Sequence, residues 1–106
     1  MLKREFIPIG RENAISRKDL CRLTGMSDRM VRHAIAHLRA EDDGTDMIIV
    51  STSRGRGYYR TDEIEEILHF IGEMTKRIRN IVQAIRLARA AVDRLHKKQL
   101  YGEGLG

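Results

Sequence analysis

Ten apolar residues, Ile64, Ile67, Ile71, Met74, Ile78, Ile81, Ile85, Ala88, Val92 and Leu95, follow one another at alternating steps of three and four. That spacing lines them along one side of a single α-helix, at the period of a coiled-coil seam. Nothing else constrains the fold as tightly, because the run commits about a third of 106 residues to one element. A helix over residues 63–98 would be ~50 Å long, longer than the small domain that precedes it, so a partner helix is expected along it. Asp62 and Glu65 form the expected capping box at its start. Two features qualify a simple two-stranded zipper. Gly72 costs about 1 kcal/mol relative to Ala and is a candidate bend, while Leu68, Phe70, Val82, Ala84 and Ala91 widen the apolar face. A bundle of helices is expected as readily as a pair. The first turns, with Leu68 and Phe70, are expected to complete the core of the upstream domain, and the later turns to pair between subunits.

Upstream, residues 16–38 (SRKDLCRLTGMSDRMVRHAIAHL) read as two short helices meeting at a glycine turn. Ser16 caps the first helix with Asp19 three residues on, Leu20 and Leu23 supply its apolar side, and Gly25 ends it in the left-handed conformation. Ser27 caps the second, in which Val31, Ile35 and Leu38 share one buried stripe. The opposite face is left to Asp28, Arg29, Arg32, His33 and Ala36. Cys21 falls where the two helices must approach closely and reads as a small buried hydrophobe. Residues 1–13 hold Leu2, Phe6, Ile7 and Ile9 around Pro8 and Gly10, too interrupted for a full helix. Phe6 and Ile7 are expected to pack on the helix pair, and residues 11–14 to form an ordered loop.

Glu41, Asp42, Asp43 and Gly44 end the second helix. Residues 47–50 read as a strand, 51–57 (STSRGRG) as a turn, and Tyr58 and Tyr59 open a returning strand, which makes 47–60 a hairpin. Its tip carries Arg54 and Arg56 among glycines. Two guanidinium groups on small, flexible residues suit approach to a phosphate backbone or a minor groove, and a solvated basic turn is the plainer alternative. The tip is not a nucleotide loop, since no Gly-Lys-Ser/Thr follows.

Lys and Arg outnumber Asp and Glu by 20 to 15, a formal +5 with a pI near 9.8, which favours a polyanionic partner. With 5% aromatic residues and no Trp, the core must be modest. A single Cys excludes an internal disulfide and suits a reducing compartment, and no apolar run resembles a signal peptide or membrane span, so the cytoplasm is expected. Catalysis finds no support. His33 and His37 lie four apart without a third metal ligand, His69 and His96 are isolated, and no nucleophile or paired acids stand out. No metal, cofactor, small-molecule ligand or membrane is therefore expected as a partner.

The segments SRKDLCRLTGMSDRMVRHAIAHLR and RGRGYYR are similar to the DNA-binding domain of the biotin operon repressor family in three pieces: a Gly-Met-Ser turn, a helix ending in Leu-Arg, and a Gly-x-Gly-Tyr wing. That resemblance covers residues 16–60, about half of the chain. Over nearly its whole length the chain also resembles small winged-helix proteins of phages and prophages, in which a GRENAIS-like lead precedes the motif and a long helix follows the wing. The family's first helix has no counterpart in residues 1–13. The resemblance implies a mainly α fold with a small β-hairpin wing: a winged helix-turn-helix domain over 1–61, a long coiled-coil-like helix over 62–98 for core completion and oligomerisation, and a flexible tail over 99–106.

The resemblance also implies duplex DNA as partner, with Ser27, Asp28, Arg29, Arg32, His33 and Ala36 at base edges or phosphates, Arg17 and Lys18 on the backbone, and Arg54 and Arg56 of the wing at the backbone or minor groove. Arg29 and Arg32 are expected to carry most readout, because guanidinium matches guanine O6 and N7. Asp28 either accepts from cytosine N4 or caps the helix through its dipole. The implied function is sequence-specific double-stranded DNA binding by a prophage-type transcription regulator, a homodimer joined through Ile71, Met74, Ile78, Ile81, Ile85, Ala88, Val92 and Leu95. A phage packaging or recombination accessory factor with a higher oligomer, and a winged-helix protein-interaction module, stand as alternatives. Biotin binding and ligase activity are not implied, since the likeness is to the DNA-binding domain alone.

Overall fold

The structure is a computed structural model that describes residues 1–52 and 57–102. Short 3-10 turns at Arg4–Phe6 and Arg11–Asn13 precede α1 (Arg17–Thr24) and α2 (Asp28–Ala40). An antiparallel hairpin, β1 (Ile48–Ser51) and β2 (Tyr58–Thr61), leads into α3 (Ile64–Lys97), which ends in a π-helical turn at Lys98–Gly102. The fold is mainly helical with one two-stranded hairpin and one long C-terminal helix. It divides into two units, Met1–Phe70 and Ile71–Gly106.

In the first unit, α1 and α2 begin at their serine caps. Ser16 Oγ accepts from the Asp19 N–H at 3.1 Å and Ser27 Oγ from the Met30 N–H at 3.2 Å. Each bond satisfies a donor that a helix start otherwise leaves bare, worth about 1 kcal/mol. Gly25 closes α1 at φ 71°, its N–H donating to the Cys21 carbonyl, in a conformation that costs a residue with a Cβ about 1 kcal/mol. The apolar side of α1 departs from the expected pair: Leu20 is fully buried, but Leu23 is 65% exposed. The side toward the core is that of Leu20, Cys21 and Thr24, whose hydroxyl donates back to the Leu20 carbonyl at 2.7 Å. Leu23 falls roughly 100° round the helix from the middle of that side.

The buried cluster consists of Leu2, Ile7, Leu20, Val31, Ile35 and Ile49, with Cys21, Ala34 and Leu38 half-buried against it. Leu2 and Ile7 correct the expectation that the long helix completes this core. α3 buries no residue, and in its first turns only Glu66, Ile67 and Phe70 are half-buried. The N-terminal segment takes that place without forming a long helix, because β2 satisfies its backbone. The Arg60 N–H donates to the Pro8 carbonyl at 2.7 Å, the Gly10 N–H to the Arg60 carbonyl at 3.0 Å, and Arg60 Nε to the Ile7 carbonyl at 2.6 Å. An interrupted segment tied down in this way can turn single side chains inward at no cost in unpaired polar groups. Ile7 packs as expected, whereas Phe6 is 38% exposed.

The hairpin pairs Ile48 with Thr61, Ile49 with Arg60, Val50 with Tyr59 and Ser51 with Tyr58. Alternation sends Ile49 into the main cluster and leaves Val50 and Tyr59 buried as a facing pair. Ile15 and Tyr58 exchange backbone bonds of 2.9 and 2.8 Å, which ties the hairpin to the residue pair before α1. Gly57 is required by that approach, since a Cβ there would stand 2.9 Å from the Ile15 carbonyl oxygen.

The start of α3 is held by Thr61 and Glu66 instead of the expected Asp62 and Glu65. Thr61 Oγ1 accepts from the Glu63 N–H at 3.0 Å and donates to Glu66 Oε1 at 2.6 Å, while the Tyr59 hydroxyl donates to Glu66 Oε2 at 2.9 Å. Residues 59 and 61 share one face of β2, so one carboxylate can collect both hydroxyls. Burial, then the bond to Glu66, raises the Tyr59 hydroxyl pKa above its ordinary value.

The second unit is α3 from Ile71 onward with the turn after it. Helical structure continues through Gly72. The seam stands in solvent: Ile78 is 58% and Leu95 57% exposed. Among the described residues, no helix is long and apolar enough to cross a membrane.

Candidate nucleic-acid interface

Arg17, Lys18, Ser27, Asp28, Arg29, Arg32, His33 and Ala36 are all exposed. α2 turns Val31 and Ile35 inward, and its 3.6-residue period therefore leaves positions 29, 32, 33 and 36 on the outer side. Asp28 organises the group. Its Oδ1 accepts from Arg17 Nε at 2.9 Å, and its Oδ2 pairs with Arg32 Nε at 3.2 Å one turn along α2. A single carboxylate thus joins the first residue of α1 to the outer side of α2. Such exposed pairs contribute roughly 0–1 kcal/mol to stability, so their consequence is orientation. Asp28 also occupies the first position of α2, where a negative charge suits the helix dipole.

Of the two roles expected for Asp28, the dipole role fits this geometry directly, while acceptance from a base would compete with both guanidinium groups. Arg32 retains its terminal nitrogens beyond the Nε contact. Arg29 and Lys18 make no ion pair among the described residues. The Tyr58 hydroxyl, followed by Asp28, holds the Arg17 guanidinium above its already high pKa.

The hairpin closes where the Thr52 N–H donates to the Gly57 carbonyl at 2.9 Å. Arg54 and Arg56, expected to reach a backbone or minor groove, lie outside the described residues. His33 and His37 pack edge to face with ring centroids 4.8 Å apart. They border a groove of about 620 Å³ that also includes Met1, Met26, Met30 and Arg29. Among the described residues, no three of His, Cys, Asp and Glu are grouped to hold a metal ion.

Several basic residues serve the fold in ways the sequence did not disclose. Arg4 donates to the Leu38 carbonyl at 2.7 Å and the Glu41 carbonyl at 3.2 Å and pairs with Asp43 at 3.3 Å, anchoring the acidic connection after α2. The Thr45 hydroxyl and N–H, together with Arg4, hold the Asp43 carboxyl below its ordinary pKa. Arg39 donates to the Ile49 carbonyl at 3.0 Å and lies 4.7 Å from the centre of the Phe70 ring. A spacing rule on local sequence carries no signal for the contacts of Arg4 and Arg39, because each reaches ten or more residues along the chain.

Comparison with known protein families, with curated proteins and with solved structures found no match.

Proposed function

We propose that this chain is a winged helix-turn-helix protein that recognises specific sites on double-stranded DNA, acts by binding instead of catalysis, and works as a homodimeric, prophage-type transcription regulator. In that reading α2 enters the major groove, and the hairpin 47–60 is the wing. One observation carries it: the Asp28 clamp, which fixes Arg32 beside exposed Arg29 and His33 at the N-terminal turns of α2 while tying them to Arg17. A helix that reads base edges needs its guanidinium groups presented at those turns. The ladder between Ile15 and Tyr58 supports the wing assignment, because it sets the hairpin beside the start of α1.

Asp28 is a positioning residue in this scheme, and Arg29 and Arg32 make the base contacts. Arg32→Ala is expected to weaken binding to a selected site by about 1–3 kcal/mol and to relax preference at one base position. Fluorescence anisotropy on the selected site and its single-base variants measures both. Unchanged affinity and unchanged preference would overturn the assignment of α2.

A second reading, a phage packaging or recombination accessory factor built on a ring or larger oligomer, draws on Val82 and Leu87, both exposed apolar residues beside or away from the seam. Mass measurement in solution separates the two, since a dimer at all concentrations excludes ring assembly.

A further inference from the structure

The formal charge is divided unequally between the two units. Met1–Phe70 holds twelve Lys and Arg against twelve Asp and Glu, whereas Ile71–Gly106 holds eight against three, which is the whole of the net +5. The unit containing the proposed reading helix is therefore neutral. Within it, Arg4, Arg17, Arg22 and Arg32 are engaged with carboxylates. In the second unit no ion pair occurs among the described residues.

The basic residues of α3 are also ordered in space. At ~100° per residue, Lys76, Arg79, Arg86, Arg94 and Lys97 fall within a sector of about 80° opposite the seam of Ile78, Ile81 and Ile85. All five are exposed. Asp93 lies at the edge of the sector. The stripe extends for about 32 Å, close to one turn of B-form duplex. Pairing along the seam, proposed above, leaves this stripe in water.

We propose that this stripe is a second nucleic-acid contact, one that binds the phosphate backbone of duplex DNA without regard to sequence. The identification of the polyanion as DNA rests on the function proposed above; the stripe itself rests on charge and geometry. Uncompensated cations displace the counterions condensed on a duplex, and that release drives binding that ignores base identity. The division of labour follows: the neutral first unit supplies discrimination, and the helix supplies most of the salt-dependent attraction. An anionic membrane is the other polyanionic surface to weigh. The duplex is favoured because no aromatic residue occurs between Ile71 and Leu100 to anchor an interface, and because the strict three-four seam suits a partner helix.

The test uses the full chain with Lys76→Gln, Arg79→Gln, Arg86→Gln and Lys97→Gln combined, substitutions at exposed sites with similar helix propensity. A charge-keeping control combines Arg79→Lys and Arg86→Lys, and circular dichroism confirms the helix in each. Binding to a selected and a scrambled duplex is followed across a salt series. The neutralised variant should lose about 0.9 in the slope of log K against log salt for each phosphate contact removed, and at least about tenfold in affinity near 0.1 M salt, on both duplexes alike. The control should match the wild type. An unchanged slope and affinity overturns the stripe, and leaves the proposed function standing if Arg29→Ala with Arg32→Ala abolishes site preference. The reduced slope with site preference intact in that α2 variant overturns the recognition assignment and keeps the stripe. Sedimentation with mixed phosphatidylcholine and phosphatidylserine vesicles, without binding to either duplex, overturns the assignment to nucleic acid.

Discussion

The two units of this chain obtain their structure by opposite means. The first, Met1–Phe70, is held by non-local contacts: Leu2 and Ile7 against Leu20, Val31, Ile35 and Ile49, and Arg60 against the carbonyl of Ile7. The second, from Ile71 onward, is helical with no buried residue on α3. Its order comes from local backbone bonds, and its apolar seam is exposed from Ile78 through Leu95. The first unit is electrically neutral with many of its charges paired, and the second is basic with none of its described charges in an ion pair. A core that must be unique spends its polar groups on fixing itself. The long helix, by contrast, keeps both its seam and its cations exposed from Ile78 on.

The largest contrast is expected in stability. Ile35→Ala removes a side chain that is 2% exposed from the first unit's core, and should cost about 2–5 kcal/mol in urea unfolding. Ile85→Ala, at a position 45% exposed, should leave the unfolding of the first unit unchanged and act on subunit association. Equal losses from both substitutions would erase the distinction. Ile81→Asp with Ile85→Asp sharpens it further: sedimentation should report monomers at concentrations where the wild type is associated, and DNA affinity should fall because a monomer holds only one half-site. A monomeric variant that binds a full site normally would separate oligomerisation from recognition.

Of intermediate size is the loss expected at the junction of hairpin and helix. Glu66→Ala leaves the Tyr59 and Thr61 hydroxyls without their acceptor and should cost about 1–3 kcal/mol, read by denaturation of the full chain. The smallest stability effect belongs to Asp28→Asn, under about 1 kcal/mol for exposed pairs. It should nevertheless broaden site preference, as Arg32 loses its partner. A variant with wild-type preference would show that the clamp does not orient the reading side.

Local signals in the sequence were sufficient for both caps, the glycine turn, the buried stripe of α2, the hairpin and the extent of the long helix. Each of these depends on residues within a few positions of one another, where hydrogen-bond geometry and periodicity are decisive. What fills the core beneath the two helices was misassigned. Leu68 and Phe70 continue an apolar pattern and so look like core, yet the place is taken by Ile7, which was expected to pack on the helix pair, and by Leu2, whose burial no local periodicity signals. The exposed set on α2 was legible from Val31 and Ile35 alone. The pairing of Asp28 with Arg17 was not, since eleven residues separate them and no periodicity links the start of one helix to the start of the next.

The central claim is that α2 reads sequence for a dimer. Selection of bound sequences from a random duplex pool by the full chain tests it most directly. The account predicts enrichment of a palindrome whose half-sites lie about one helical turn, or a multiple of it, apart, with enrichment lost in the Arg29→Ala and Arg32→Ala variant. A pool that stays random after repeated rounds, or a motif that survives that variant intact, would contradict it.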